Sequence, residues 1–174
     1  MEFRKLAEYF ERLEKTPSRL EMTRILAEMF RQTSEEEIDR VCYLSLGRLV
    51  PLYESLEFNL AEKMVMRAIA QVFGVDVKVR YKELGDLGLV VTELSKHKSI
   101  KSVKSVNEVY KQLRKIAEDG GEGSQERKIN GLVELMRDLD GLSNKYAVRI
   151  VLGRLRLGFL DKTQLFTLIE AILK

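Results

Sequence analysis

The sequence predicts an all-α fold, and three observations carry that prediction. Apolar residues make up 45% of the 174-residue chain and charged residues 33%, with only two prolines, a mixture that suits helices better than sheets. Apolar positions recur three and four residues apart through most of the chain, the period of a helix with one face buried. Serine followed three residues later by glutamate, a helix-start signature, stands before two of those runs. A chain of this length can bury a core as one domain, and the lone Cys42, set in an apolar run, permits no internal disulfide and reads as a small buried hydrophobe.

Taken in order, Phe3, Leu6, Phe10 and Leu13 mark a first helix that Thr16-Pro17 stops. Ser18 with Glu21 predicts a capping box, and Met22, Ile25, Leu26, Met29 and Phe30 give the buried stripe of a second helix. Ser34 with Glu37 repeats the signature before Ile38, Val41, Leu44 and Leu46. Pro51 interrupts, and Asn59 is expected to cap a run through Met64, Ile69 and Phe73 that ends at Gly74. Residues 75–83 leave two readings open: Val75, Val77, Val79 and Tyr81 alternate with polar residues as a strand would, whereas a short helix is the other reading. Beyond Gly85-Asp86-Leu87-Gly88 a helical run reaches Leu94. Residues 95–107 hold Lys96, Lys98, Lys101 and Lys104, His97 and four serines without a carboxylate, and are expected to form a mobile basic loop. Helices resume from Val109 to Ile116, break at Gly120-Gly121-Glu122-Gly123, and restart at Ser124.

The chain also repeats itself. Setting Ser18 on Ser124 (124 − 18 = 106) sets Gly47 on Gly153 without a gap, and eight of the 32 positions from Ser18 to Leu49 are then identical. Ordinary residue usage would give roughly two. Leu-Gly-Arg-Leu stands whole at both ends. The expected organisation is therefore one domain of two pseudo-repeated helical units, about 1–75 and about 108–174, joined by a connecting region that carries the basic loop.

Catalytic chemistry is hard to place on these residues. There is no phosphate-binding G-x-x-x-x-G-K-[ST] loop, one His and one Cys cannot build a zinc site, and a nucleophile triad would rest on a single His in a basic loop. Anion binding is easier, because a helix start exposes free N–H groups and a small-residue loop lets a phosphate come close. Two such starts stand out, Thr16-Pro17-Ser18-Arg19 and the loop of Gly121, Gly123, Ser124, Arg127 and Lys128. The second is expected to dominate, since it has three glycines and two cations in the first turn, with stability untouched when Arg127 and Lys128 are both removed. Between Asp140 and Asp161 there is no acidic residue, and Lys145, Arg149, Gly153 and Arg156 fall at spacings of four, four and three, one face of a helix long enough to include them. No aromatic alternates with these bases, which favours phosphate contact along a duplex over base stacking on a single strand. The formal charge of +3 is too small to decide the matter.

Three segments in this order carry a resemblance: Gly85-Asp86-Leu87-Gly88-Leu89-Val90, then Gly121 to Gln125 with Arg127-Lys128, then Tyr146 to Gly158. Together they resemble the amino-terminal DNA-binding domain of archaeal and eukaryotic ATP-dependent DNA ligases, over almost the whole chain. The resemblance implies a helical domain of two pseudo-repeats that grips nicked duplex DNA through the minor groove, and it favours a short helix over a strand at 75–83. It implies a parent enzyme whose adenylation and OB-fold domains close around the DNA and use ATP and Mg²⁺, in replication and repair, and it admits a sliding clamp as partner. By the same resemblance Gly121 to Lys128 contact DNA, with Ser18 and Arg19 as first-unit counterparts, and Lys96 and Lys98 lie in the family's most variable stretch. No Asp in the chain has a Lys two positions before it, so the K-x-D-G adenylation lysine is missing and no cofactor is expected to bind here. The chain is expected to be soluble and intracellular, with no membrane partner. A helical-repeat adaptor for protein partners is the competing reading of the same repeat and charged surface.

Overall fold

The computed structural model describes residues 1–51, 53–97 and 103–158, and among these it forms nine α-helices and no strand. They are α1 (Phe3–Lys15), α2 (Arg19–Arg31), α3 (Ile38–Ser45), α4 (Glu62–Phe73), α5 (Lys78–Leu84), α6 (Leu87–Leu94), α7 (Val106–Glu118), α8 (Ser124–Asp138) and α9 (Gly141–Val151). The backbone of Ser95–His97 adds a 3-10 turn, and Glu2 makes an isolated antiparallel bridge with Ser105.

Helix α9 lies in the middle of the fold. It packs against α6 and α1; α4 packs against α8 and α6, and α7 against α8, α3 and α1. Every α9 residue from Ser143 to Val151 is buried, the condition of a helix covered on all sides and not of one with a solvent face. Phe10 of α1 meets Tyr146 of α9 edge-on, with ring centroids 5.5 Å apart.

Residues 78–84 are helix and not strand. Gly74 and Gly85, at φ +70° and +66°, end α4 and α5 in the left-handed region that favours glycine, so each helix stops and the chain turns. Val77 is buried just before α5, whereas Val75 and Val79 are exposed, so the alternating valines line no common face. Four helix starts differ from expectation. Asn59 sits at φ +51° and Ala61 is the residue that precedes α4. Ser34 donates to the Glu37 carboxylate at 3.2 Å and does not cap α3; the same carboxylate holds the Met1 ammonium at 2.6 Å. Ser18 does cap α2, accepting from the Glu21 N–H at 3.3 Å, but Gly123 occupies the cap of α8 and makes Ser124 its first helical residue. Within the expected basic loop, Ser105 and Glu108 form a complete capping box, so α7 begins at Val106, earlier than the sequence suggested. Lys98 lies outside the described residues.

Candidate nucleic-acid interface

Helices α3 and α9 end in the same way. Gly47 and Gly153 take φ +66° and +65°. The N–H of Gly47 donates to Leu44 at 2.9 Å and that of Gly153 to Ile150 at 3.0 Å; the N–H groups of Arg48 and Arg154 reach back to the carbonyls of Tyr43 and Arg149, both at 2.9 Å. Each bond in one turn has its partner 106 residues later in the other. Only a residue without Cβ takes this left-handed step cheaply, and the turn then directs the next side chain, Arg48 or Arg154, outward: both residues are exposed. Arg156 follows at φ +60°, an uncommon conformation for a long side chain.

An open groove of about 730 Å³ runs past both turns, walled by Leu46–Val50, by residues 53–60 and by Ile150–Gly153. Tyr53 stands on its wall, 86% exposed. On the far side of the second turn the chain passes to Gly158, where an added Cβ would lie 2.7 Å from Met22 and 3.9 Å from the Thr16 carbonyl, so this segment reaches the α1–α2 junction that carries Ser18 and Arg19.

The glycine loop before α8 is built by its own arginine. Arg127 pairs with Asp119 at 2.7–3.1 Å and donates to the carbonyls of Glu122 (2.8 Å) and Gly120 (3.0 Å). Hydrogen bonding from Arg127 holds the Asp119 carboxyl below its ordinary range. Gly121 and Gly123, at φ +77° and +74°, allow the loop to close around the guanidinium. Lys128 is buried, and its ammonium donates to the carbonyls of Phe58 (2.8 Å) and Ala117 (3.4 Å), tying the N-terminal part of α8 to the wall of the groove. Deleting Lys128 would leave two buried carbonyls short of a donor, so the expectation that Arg127 and Lys128 can be removed together at no cost in stability does not hold.

The expected basic helix face is corrected as well. Helix α9 stops at Val151, so Lys145 and Arg149 do not share a helix face with Gly153 and Arg156. Lys145 and Arg149 are 5% and 2% exposed. Glu14 of α1 accepts from Lys145 (2.9 Å), Arg149 (2.9 Å) and the Tyr146 hydroxyl (2.6 Å); Asp86, which caps α6, pairs with Arg149 (3.1 Å) and Arg156 (3.2 Å). These cations tie α1, α6 and α9 together inside the protein. Gly88 makes room for them, since a Cβ there would come within 2.9 Å of both Arg149 and Asp86. Of the remaining sequence candidates, Arg19 and Lys96 are exposed. Arg48 and Arg154, exposed at the two turns, were not among the sequence candidates, although Leu-Gly-Arg-Leu had marked both turns.

Burial alone would raise the Glu14 pKa, but the hydrogen bonds from Tyr146, Lys145 and Arg149 outweigh it and hold the carboxyl below its ordinary 4.5. Burial, and then the bond to Glu14, push the Tyr146 phenol far upward. A carboxyl whose pKa is lower folded than unfolded stabilises fully above the unfolded value and loses that contribution as pH falls through the folded one. Urea unfolding between about pH 6 and about pH 3 should therefore show a steeper loss of stability for the wild type than for Glu14→Gln. Parallel curves would show that Glu14 does not contribute to acid unfolding.

Comparison with known proteins decides the family. The model of the family described as DNA ligase N terminus matches residues 2–168. The chain belongs to the DNA ligase N-terminus family. Among full-length relatives of this family, it is 44% identical over 166 residues to a probable DNA ligase of Dictyoglomus thermophilum, covering 94% of this chain and 28% of that one. It is 41% identical to DNA ligase 2 of Thermofilum pendens (95% and 30% covered) and 42% identical to DNA ligase 1 of Methanosarcina acetivorans (92% and 28%). The chain thus spans less than a third of the length of these ligases, and the two turns, the groove and the Glu14 and Asp86 ion pairs all lie within the ligase N-terminal match. No helix among the described residues is long and apolar enough to cross a membrane.

Proposed function

We propose that this ligase N-terminal chain grips duplex DNA at a nick, without sequence preference, through phosphates and the minor groove, for a parent ATP-dependent ligase acting in replication and repair. The observation that carries the reading is the pair of matched left-handed turns, whose glycines both line one open groove and which expose Arg48 on that groove and Arg154 at its edge, where Arg154 joins Arg156 in the neighbouring cleft. Exposed guanidiniums on rigid turns suit a narrow groove and its flanking phosphates, and phosphate contacts fix position without reading sequence. The start of α2 beside Ser18 and Arg19, and the start of α8 beside Gly121, Gly123 and Ser124, present first-turn N–H groups to phosphate; Lys96 adds exposed charge. Lys145, Arg149 and Lys128 act behind the surface by holding these elements in place.

The matched turn bonds also support reading residues from about 1 to 75 and about 108 to 174 as two copies of one unit. At the same offset of 106, α2 falls on residues 125–137 within α8, and α3 on residues 144–151 at the end of α9. Two similar turns then meet two stretches of duplex, one on each side of a nick.

Adenylyl transfer belongs, on this reading, to the adenylation and OB-fold domains of the parent chain. The residues present do not fit ATP or Mg²⁺. The Asp119-Gly120 and Asp140-Gly141 pairs have Ala117 and Asp138 where a K-x-D-G lysine would stand, and the described residues hold no group of three His, Cys, Asp or Glu placed to share a metal ion. The family reading also admits a sliding clamp as a partner of the parent, to which no residue of this chain is assigned.

Fluorescence titration of the chain with random-sequence duplexes tests the proposal. Affinity should fall as salt rises, with a log–log slope of about −0.9 for each phosphate neutralised, and should not depend on sequence. A flat salt response, or preference for one sequence, would overturn it.

A further inference from the structure

We propose that Glu62 is an internal stand-in for a DNA phosphate: it holds Arg154 while the protein is free, and duplex DNA binds by taking that arginine from it. The inference rests on the DNA-binding reading above and adds a residue that sets the strength of the grip.

The two turns provide the comparison. Their backbone bonds match one for one, yet their arginines differ in what they meet. Arg154 pairs with the Glu62 carboxylate, whereas Arg48 meets no carboxylate among the described residues. Since the Arg48 turn forms the same bonds without such a partner, the Glu62 pair is not what builds the turn. Its effect falls on the charge. Glu62 is the first residue of α4, and its carboxylate is steadied by the Tyr81 hydroxyl, which donates to it at 2.8 Å. The pair is within reach of solvent, with side chains 54% exposed at Arg154 and 34% at Glu62, so an incoming anion can compete for the guanidinium.

What surrounds the pair suits a phosphate. Glu62, Tyr81, Asp86, Arg149, Arg154 and Arg156 line one cleft that retains only about 10 Å³ of free space, room for about one water. Three guanidiniums converge there. Asp86, its side chain 4% exposed, is occupied by Arg149 and Arg156 and caps α6, so it is fixed in place. Glu62 is the acidic group of the cleft that can swing away, since its side chain is only half-buried. Where it leaves, Arg154 and Arg156 face an anion site that a phosphate oxygen can fill with charge-assisted hydrogen bonds. The carboxylate thereby lowers affinity for every duplex and weighs most on ligands that offer Arg154 a single poor contact.

Glu62→Gln keeps an acceptor for Tyr81 and removes the charge. In equilibrium titrations of the 174-residue chain with a random duplex, this variant should bind about three- to tenfold more tightly than wild type, with a salt slope steeper by about 0.9. Glu35→Gln, which raises the net charge by the same amount from the exposed turn before α3, should change affinity less than about twofold, because screening over about 10 Å mutes a distant charge. In an Arg154→Ala background, Glu62→Gln should gain nothing. Glu62→Ala, included in case the amide keeps hold of the arginine, should move the same way as Glu62→Gln, and thermal melts confirm that each variant is folded. Wild-type affinity and slope in both folded Glu62 variants, or a gain that persists without Arg154, overturns the proposal and leaves the DNA-binding reading standing. Absence of salt-dependent duplex binding in the wild type instead overturns the DNA-binding reading, and this proposal with it.

Discussion

Arg149→Ala should unfold at a markedly lower temperature than the wild type, with a loss of about 3–5 kcal/mol, the range for breaking a buried ion pair by removing one partner. The Arg149 side chain is 3% exposed and serves two carboxylates, Glu14 at 2.9 Å and Asp86 at 3.1 Å. Without it, Asp86 would keep Arg156, whose side chain is 53% exposed, as its one cation beside the Leu89 N–H that it caps, and a charge at a site 4% exposed would be left undercompensated. Dispersion contacts with Tyr146 go as well, since the guanidinium lies 5.7 Å from that ring centre. For a chain of this size each kcal/mol moves the melting temperature by about 2–4 °C, so a fall of roughly 6–20 °C is expected in a calorimetric scan. Lys145→Ala should cost less, because Tyr146 and Arg149 still serve Glu14. A melting temperature within about 2 °C of wild type for Arg149→Ala would mean that the network is not a structural brace.

The helices were legible because nearly every one repeats apolar residues at the helical period and several begin with a capping side chain. Two kinds of feature were not. The first is a charged residue at a core position. Lys145 and Arg149 have the spacing of a solvated basic stripe, and spacing cannot show that Glu14 and Asp86, 131 and 63 residues before them (145 − 14 and 149 − 86), wait on α1 and before α6. A signal was present for Lys128: the offset of 106 sets it on Met22, a buried position of the α2 stripe, and the same offset predicts that its stem is buried. The second feature is backbone direction. Leu-Gly-Arg-Leu was noticed as a repeat, but whether its arginine points to solvent depends on the glycine φ, which the sequence suggests and does not determine. Arg127 shows a partner that charge and position did not reveal. It has the place and charge of a phosphate ligand, but Asp119, eight residues earlier, uses its guanidinium to close the glycine loop.

The two exposed turns should contribute unequally to DNA binding, with Arg48→Ala more damaging than Arg154→Ala. Both side chains follow the same left-handed glycine, and by the repeat they are equivalent. What differs is the state each leaves on binding. Arg48 gives up only water, so a charge-assisted bond to phosphate should be worth roughly tenfold or more in affinity. Arg154 must give up Glu62 as well, so part of what it gains from phosphate replaces a bond already made, and its deletion should cost roughly two- to fivefold. Neither side chain fills the core, so both variants should keep the wild-type melting temperature, and the losses can be assigned to contact. Removing both arginines should also reduce the magnitude of the salt slope by about 0.9, the one phosphate that Arg48 neutralises, because in the wild type the charge released from Glu62 offsets the phosphate that Arg154 takes. Equal losses for the two variants would mean that the carboxylate beside Arg154 does not compete with DNA. Wild-type affinity in the double variant would show that the turns are not where the duplex is held, and would return the contact to the loops at the starts of α2 and α8.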